Sequence, residues 1–111
     1  MKTLYTSPRS VRAVDELKSR IGKEGLEEIM LMAGADDEQE MALIMNAQVH
    51  YTFQNDEGIR NKRKNLDPHT SDEEFDANMW LLMTNKEVRK AYMEGDYEKC
   101  QEFTDVFLGR N

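Results

Sequence analysis

The sequence has one cysteine, two prolines and no long apolar run. Cys100 has no second cysteine to pair with, and the eight methionines are easily oxidised, so we predict a reducing, cytoplasmic environment. The longest apolar runs, IMLMA, MALIM and MWLLM, have five residues each, whereas a membrane-spanning helix needs about 20. The opening residues, MKTLYTS, also lack the apolar core of a signal peptide. We therefore expect neither a membrane span nor secretion.

Lysine and arginine are absent from residues 24–57, although this stretch carries nine acidic side chains. The net charge of −7 is therefore unevenly distributed, since residues 1–23 and 58–69 are net positive and residues 70–111 are net negative. A strongly negative surface repels nucleic acid and attracts basic partners. We expect a protein partner and no direct binding of nucleic acid.

A chain of 111 residues with 39% hydrophobic and 33% charged residues suits one globular domain over residues 1–111. Within it, Ser7 and Pro8 fit the cap and first position of a helix over residues 8–21, which Gly22 ends. A second helix is predicted over residues 26–33, before Gly34. The apolar faces of these two helices comprise Val11, Val14, Leu17, Ile21, Leu26, Ile29, Met30 and Ala33. Residues 1–6 are compatible with a short strand.

A third predicted helix begins at the acidic run after Gly34 and reaches about residue 54. Asp36 or Asp37 suits its N-cap, and acids in the first turn are favoured by the helix dipole. Apolar residues occupy several of its faces, so we predict a central helix that is buried on more than one side. Residues 49–53, VHYTF, also alternate like a strand, which leaves a helix and a strand as alternatives there, with the helix favoured.

Residues 55–69 predict the longest connection, because Gly, Asn, Asp and Pro accumulate and helical periodicity fails. Long loops often carry function. This loop contains a basic cluster of Arg60, Lys62, Arg63 and Lys64. The cluster is interpreted as a solvated linker, with a contact to an acidic protein surface or to nucleic acid as alternatives.

Residues 70–108 predict three short helices with well-marked ends. Ser71 with Glu74, and Thr84 with Glu87, fit the capping box. Asp96 suits the cap of the last helix, and Gly95 and Gly109 suit helix ends. The predicted inward-facing residues are Phe75, Met79, Leu82, Met83, Val88, Ala91, Tyr92, Tyr97, Cys100, Phe103 and Phe107. Further core positions are assigned to Met30, Met32, Met41 and Met45, with an adaptable docking surface as the alternative use of the methionines.

Two acidic pairs, Glu24 with Glu27 and Glu73 with Asp76, have a spacing that can hold magnesium for phosphate chemistry. The E-x-x-E and E-x-x-D pairs resemble the arrangement in the all-α nucleotide pyrophosphohydrolases. That resemblance implies magnesium-dependent hydrolysis of nucleotides as an alternative function. First-turn capping is the competing explanation for Glu73 and Asp76.

The two histidines do not fit a metal-binding motif. Di-iron bundles use the spacing E-x-x-H, but Ala47 precedes His50 and Leu66 precedes His69 at the glutamate position. Cys100 lies on a predicted inward face, where a thiol acts as a small hydrophobe. We therefore predict a protein that is not an enzyme and has no catalytic residues, cofactor or metal.

Together these patterns predict an all-α fold, a single-domain irregular bundle of about six short helices, with helices in 8–54, a basic loop in 55–69 and three helices in 70–108. The predicted function is that of a small acidic interaction module, a regulator, adaptor or inhibitor that docks on a larger protein. The alternatives are a DNA-mimic inhibitor of a nucleic-acid-binding protein and the hydrolase. The predicted partner-binding residues are Asp36, Asp37, Glu38, Glu40, Arg60, Lys62, Arg63 and Lys64.

Overall fold

The computed structural model describes residues 8–110, apart from the side chain of Leu66, and every regular element in that range is an α-helix. The elements are α1 Pro8–Ala33, α2 Glu38–Thr52, α3 Glu57–Leu66, α4 Asp72–Thr84, α5 Lys86–Met93 and α6 Tyr97–Phe107. The predicted all-α class is confirmed. The short strand considered for residues 1–6 lies outside the described residues.

Helix α1 has two halves that meet at Gly22, whose φ of 80° and ψ of 169° are not helical. Glycine tolerates this positive φ because it has no Cβ. The predicted break at Gly22 is therefore confirmed. The second half, however, begins directly after Gly22 and includes Gly25, so its predicted start at Leu26 was too late.

Helix α2 is central, as predicted, because it contributes to two hydrophobic clusters. Leu43 and Ala47 pack with residues of α4, α5 and α6. Ala42 and Ile44 pack with Val14 and other residues of α1. The helix extends to Thr52, so the helical alternative for residues 49–53 is confirmed, with Phe53 as the C-cap residue.

Helix α3 occupies most of the stretch that was predicted to be a loop, and that prediction was wrong. The side chain of Asp56 caps the helix by accepting a hydrogen bond from the Ile59 N–H at 3.0 Å. Glu57 in the first turn, and Arg63 and Lys64 in the last turn, complement the helix dipole. The cap and the favourable charges thus stabilise α3, although its few apolar residues do not repeat with helical periodicity.

Helix α4 runs antiparallel to α2. His50, near the end of α2, contacts Phe75 near the start of α4. Glu40, near the start of α2, pairs with Arg89, which lies just beyond the end of α4. Helix α6 also packs against α4, so α4 lies in the middle of the larger hydrophobic cluster.

The predicted cap of α4 is confirmed, whereas the predicted cap of α5 was displaced by one residue. The Ser71 hydroxyl accepts from the Glu74 N–H at 3.3 Å. Thr84 instead ends α4, and its hydroxyl donates to the carbonyl of Trp80 at 2.7 Å. Asn85 caps α5, because asparagine is at least as good an N-cap as threonine.

The predicted core faces are correct on α4 and α5 and partly wrong on α1 and α6. Cys100 is buried as predicted, but Phe107 is exposed and Thr104 is buried in its place. The Thr104 hydroxyl lies 2.7 Å from Asn78 Oδ1, which satisfies it inside the core. Met32, also assigned to the core, is exposed, because the second half of α1 packs through Leu26 on its other side.

Candidate partner-binding surface

The acidic residues predicted to face a partner lie around the start of α2. They form ion pairs and hydrogen bonds with other residues of the same chain. The Asp37 side chain caps α2 by accepting from the Glu40 N–H at 2.8 Å. Asp36 pairs with Lys86 at 3.1 Å, and Glu38 pairs with Lys18 at 3.2 Å. Cations from other segments therefore offset much of the negative charge that the sequence concentrates here.

Glu40 is buried and cannot face a partner. Arg89 donates from Nε to Glu40 Oε2 at 2.8 Å, and the Asp36 N–H donates to Glu40 Oε1 at 2.9 Å. Burial by itself would raise the pKa of Glu40, but the Arg89 hydrogen bond, the Asp36 N–H and the nearby Lys86 outweigh it. The pKa of Glu40 is therefore lowered from its ordinary value.

Arg89 is equally buried, and the backbone satisfies the rest of its guanidinium. Its NH1 donates to the carbonyls of Leu82 and Met83 at 3.1 and 3.2 Å, and its NH2 donates to the carbonyl of Gly34 at 3.2 Å. A buried charge is tolerated only when it is paired and hydrogen-bonded in this way. This network joins the end of α1, the start of α2 and the α4–α5 junction, so its role is structural.

The predicted basic cluster is divided between a buried and an exposed part. Arg63 is buried and forms ion pairs with Asp72 and Asp76, so it is not available to a partner. Arg60 pairs with Asp72 at 3.2 Å. The exposed members of the cluster are Lys62 and Lys64.

The second half of α1 presents a surface that contains none of the predicted partner-binding residues. It consists of Glu24, Glu27, Glu28, Leu31 and Met32, and we refer to it as the acidic-apolar face. Positions separated by three, four, seven and eight residues share one side of a helix. All five side chains are exposed, and within residues 8–110 the three carboxylates form no ion pair.

The apolar part of this face is unusually open to solvent. Leu31 is 82% exposed and Met32 is 87% exposed, against 59% for Val106 and 51% for Phe107 on α6. Meanwhile Leu26, on the other side of the same half-helix, is 2% exposed and anchors α1 to α2. The half-helix is thus fixed through one side and displays apolar surface, bordered by negative charge, on the other.

The sequence did contain a signal for this face. Once Leu26, Ile29, Met30 and Ala33 are assigned to the core, helical geometry turns residues 24, 27, 28, 31 and 32 away from it. Met32 was nevertheless assigned to the core by residue type. Its exposure shows that position on the helix, rather than hydrophobicity, determines which Met residues are buried here.

The carboxylate pairs of the hydrolase alternative are not brought together in the part of the chain that the structure describes. Glu24 and Glu27 lie on α1, which packs on α2, whereas Glu73 and Asp76 lie on α4. Asp76 is paired with Arg63; burial raises its pKa although the Arg63 charge opposes that rise. Across residues 8–110, no group of three or more His, Cys, Asp and Glu side chains is placed to hold a metal ion.

Cys100 is buried, and its Sγ lies 3.7 Å from the carbonyl of Val88. Burial raises the pKa of this thiol, which disfavours the thiolate that a nucleophile needs.

The cleft between α5 and α6 does not resemble a ligand pocket. Its volume is about 370 Å³, and almost all its lining side chains are charged: Glu87, Lys90, Glu94, Asp96 and Lys99, with Ala91. Small-molecule sites are concave and mostly apolar, with few polar groups. We therefore place the candidate site on the acidic-apolar face.

No protein-family model, curated protein or solved structure matches this chain. Among the helices of residues 8–110, none has the length and apolar character needed to cross a membrane. The fold and surface together describe a small all-α protein with an exposed acidic-apolar helix face.

Proposed function

We propose that this protein is a non-enzymatic interaction module, a regulator, adaptor or inhibitor, that docks on a larger cytoplasmic protein through the acidic-apolar face. The supporting observation is the exposure of Leu31 and Met32 beside three carboxylates that form no ion pair in the described part of the chain. Exposed apolar groups with a charged rim are typical of protein interaction sites. The buried free thiol of Cys100 and the exposed Met32 suit a reducing compartment.

The charge of the face specifies the partner chemistry. Within residues 8–110, Glu24, Glu27 and Glu28 form no ion pair, so they remain available to attract lysine and arginine side chains of a partner. Leu31 and Met32 lie at one end of the same face, and an apolar part of the partner surface would bury them. The partner surface is therefore basic with an apolar centre, such as one side of a basic amphipathic helix.

The DNA-mimic alternative has less support. It relies on Asp36, Asp37, Glu38 and Glu40 as a row of free negative charges. In the structure these carboxylates are paired with Lys86, Lys18 and Arg89 or used as a cap, which reduces their resemblance to phosphates.

Affinity purification from the native cell, performed with matched variants, tests the proposal. One variant combines Leu31→Gln with Met32→Gln, and its control combines Val106→Gln with Phe107→Gln, which changes apolar side chains on a different helix. A second variant replaces Glu24, Glu27 and Glu28 with glutamine, and its control replaces Glu94, Glu98 and Glu102, which are also exposed.

We expect both face variants to lose the partner and both controls to retain it. Binding should weaken in moderate salt because its charged component is screened. Retention of the partner by both face variants, or equal loss in the controls, would contradict the proposal. A nucleotide substrate hydrolysed with magnesium, and no longer hydrolysed after Glu24→Gln or Glu73→Gln, would favour the enzyme instead.

A further inference from the structure

Helix α3 is attached to the rest of the protein in a different way from the other helices. Helices α1, α2, α4, α5 and α6 pack closely along one another, whereas α3 has no helix packed extensively along it. Of residues 57–65, only Arg63 is buried. The attachment of α3 is therefore largely polar, and Arg63 is its buried contact.

Arg63 reaches into a site formed by α4. Its guanidinium forms ion pairs with Asp72 and Asp76 and lies 5.3 Å from the centroid of the Phe75 ring. This combination of charge pairs and a cation–π contact fixes its position. Arg60 adds an ion pair to Asp72.

His50, near the end of α2, contacts the same aromatic ring. Its ring centroid lies 5.6 Å from that of Phe75, with the two planes at 74°. His50 is buried, and its Nδ1 has no hydrogen-bond partner among the described residues. A protonated imidazole donates from both nitrogens, so charging His50 would leave a buried N–H without an acceptor.

We propose that α3 is a pH-gated latch, docked on α4 through Arg63 while His50 is neutral and released when His50 becomes protonated. A positive charge on His50 would lie beside the cations of α3, Arg63 and Lys62. Repulsion between them, added to the cost of the unpaired N–H, favours the undocked helix. Release would uncover the side of the Phe75 ring that Arg63 covers and would free Arg60 and Arg63 from their ion pairs.

The charge environment gives the sign of this linkage. Burial lowers the pKa of His50 from its ordinary value of 6.5, and the charges of Arg63 and Lys62 lower it further. The docked state therefore binds this proton less well than the undocked state, so docking is favoured above about pH 6.5 and weakens as the pH falls. Asp76 acts in the opposite direction, because its raised pKa means that the folded state takes up a proton more readily than an exposed carboxyl. As the pH falls, that effect begins at the raised pKa of Asp76 and is complete below the ordinary value of 3.8.

Amide hydrogen exchange at pH 7.5 and pH 5.0 tests the latch, after correction for the intrinsic pH dependence of exchange. We expect protection of residues 60–66 to fall several-fold at pH 5.0 while α2 and α4 stay protected, since one pKa unit of coupling is worth about tenfold in the docking equilibrium. His50→Phe, which keeps an aromatic ring but cannot titrate, should remove the response. His69→Gln, which changes the other histidine, should retain it.

The proposal is wrong if α3 protection in the wild type is independent of pH, or if His50→Phe responds as the wild type does. A second measurement does not need the His50→Phe variant to fold. In an NMR titration of Arg63→Met, loss of the nearby cation should raise the pKa of His50 towards 6.5. An unchanged His50 pKa in that variant would also overturn the latch.

Discussion

Arg89 and Glu40 form a buried ion pair across 49 positions of sequence, with Arg89 Nε 2.8 Å from Glu40 Oε2. Both side chains are almost completely inaccessible to solvent. The pair connects the start of the central helix α2 with α5. The carboxylate that the sequence suggested for partner binding is therefore part of the internal structure.

Breaking this pair should be costly. We expect Arg89→Met to lower the free energy of unfolding by about 3 kcal/mol, because the buried Glu40 carboxylate would keep only Lys86, at 3.4 Å, as a cation. The double variant Arg89→Met/Glu40→Met should recover much of the lost stability, because it leaves no buried charge without a partner. Urea denaturation of both single variants and the double variant measures this coupling.

The exposed pair of Lys18 and Glu38 provides the control, since Lys18→Met should cost less than about 1 kcal/mol. If Arg89→Met were as mild as Lys18→Met, the structural role of the buried pair would be refuted.

The lowered pKa of Glu40 predicts a pH dependence. Because the folded pKa lies below the ordinary value of 4.5, the unfolded state binds the proton first as the pH falls. The stability advantage of the wild type over Glu40→Gln should be complete at pH 7 and should decline below about pH 4.5. Denaturation of both proteins from pH 7 to pH 3 measures it, and a constant difference would rule out this assignment.

The cap of α5 can be tested one residue at a time. Asn85 accepts from the Val88 N–H at 3.2 Å, so Asn85→Ala should cost about 1 kcal/mol. Thr84→Ala should change stability by less than about 0.5 kcal/mol, because the Thr84 hydroxyl bonds only within its own helix. Thermal unfolding of the two variants tests which residue caps α5. A larger loss of stability in Thr84→Ala than in Asn85→Ala would show that Thr84 is the cap, as the sequence predicts.

Gly34 combines a positive φ with a close neighbour. Its φ is 77°, and an added Cβ would lie 3.3 Å from Arg89 NH2. Gly95 has a similar φ of 81° but no atom near that position. Gly34→Ala should therefore lose more stability than Gly95→Ala, for which backbone strain alone costs about 1–2 kcal/mol. Equal losses in chemical denaturation would mean that Arg89 moves aside freely.

Local signals in the sequence predicted much of the fold. The caps at Ser71 and Asp96 and the break at Gly22 depend on neighbouring residues, so they can be read from short segments. Helix α3 was missed because capping and charge stabilise it and no apolar stripe marks it. Its attachment depends on Arg63, whose aspartate partners lie on another helix.

The candidate site was harder to predict, because it depends on which charges meet in three dimensions. Nothing near Glu40 in the sequence indicates that Arg89 will neutralise it. Within residues 8–110, Glu24, Glu27 and Glu28 form no ion pair, and what sets them apart is the exposed Leu31 and Met32 beside them on α1. Surface charge in this protein is therefore a property of the folded arrangement.

Site-specific photocrosslinking in the native cell tests the central claim most directly. A photoreactive amino acid at position 32 lies on the acidic-apolar face, and the same group at position 106 lies on α6 as the control. We expect position 32 to crosslink to one protein, at a segment rich in lysine and arginine, and position 106 not to do so. Equal crosslinking from both positions, or crosslinks from position 32 only to acidic segments, would contradict docking through this face.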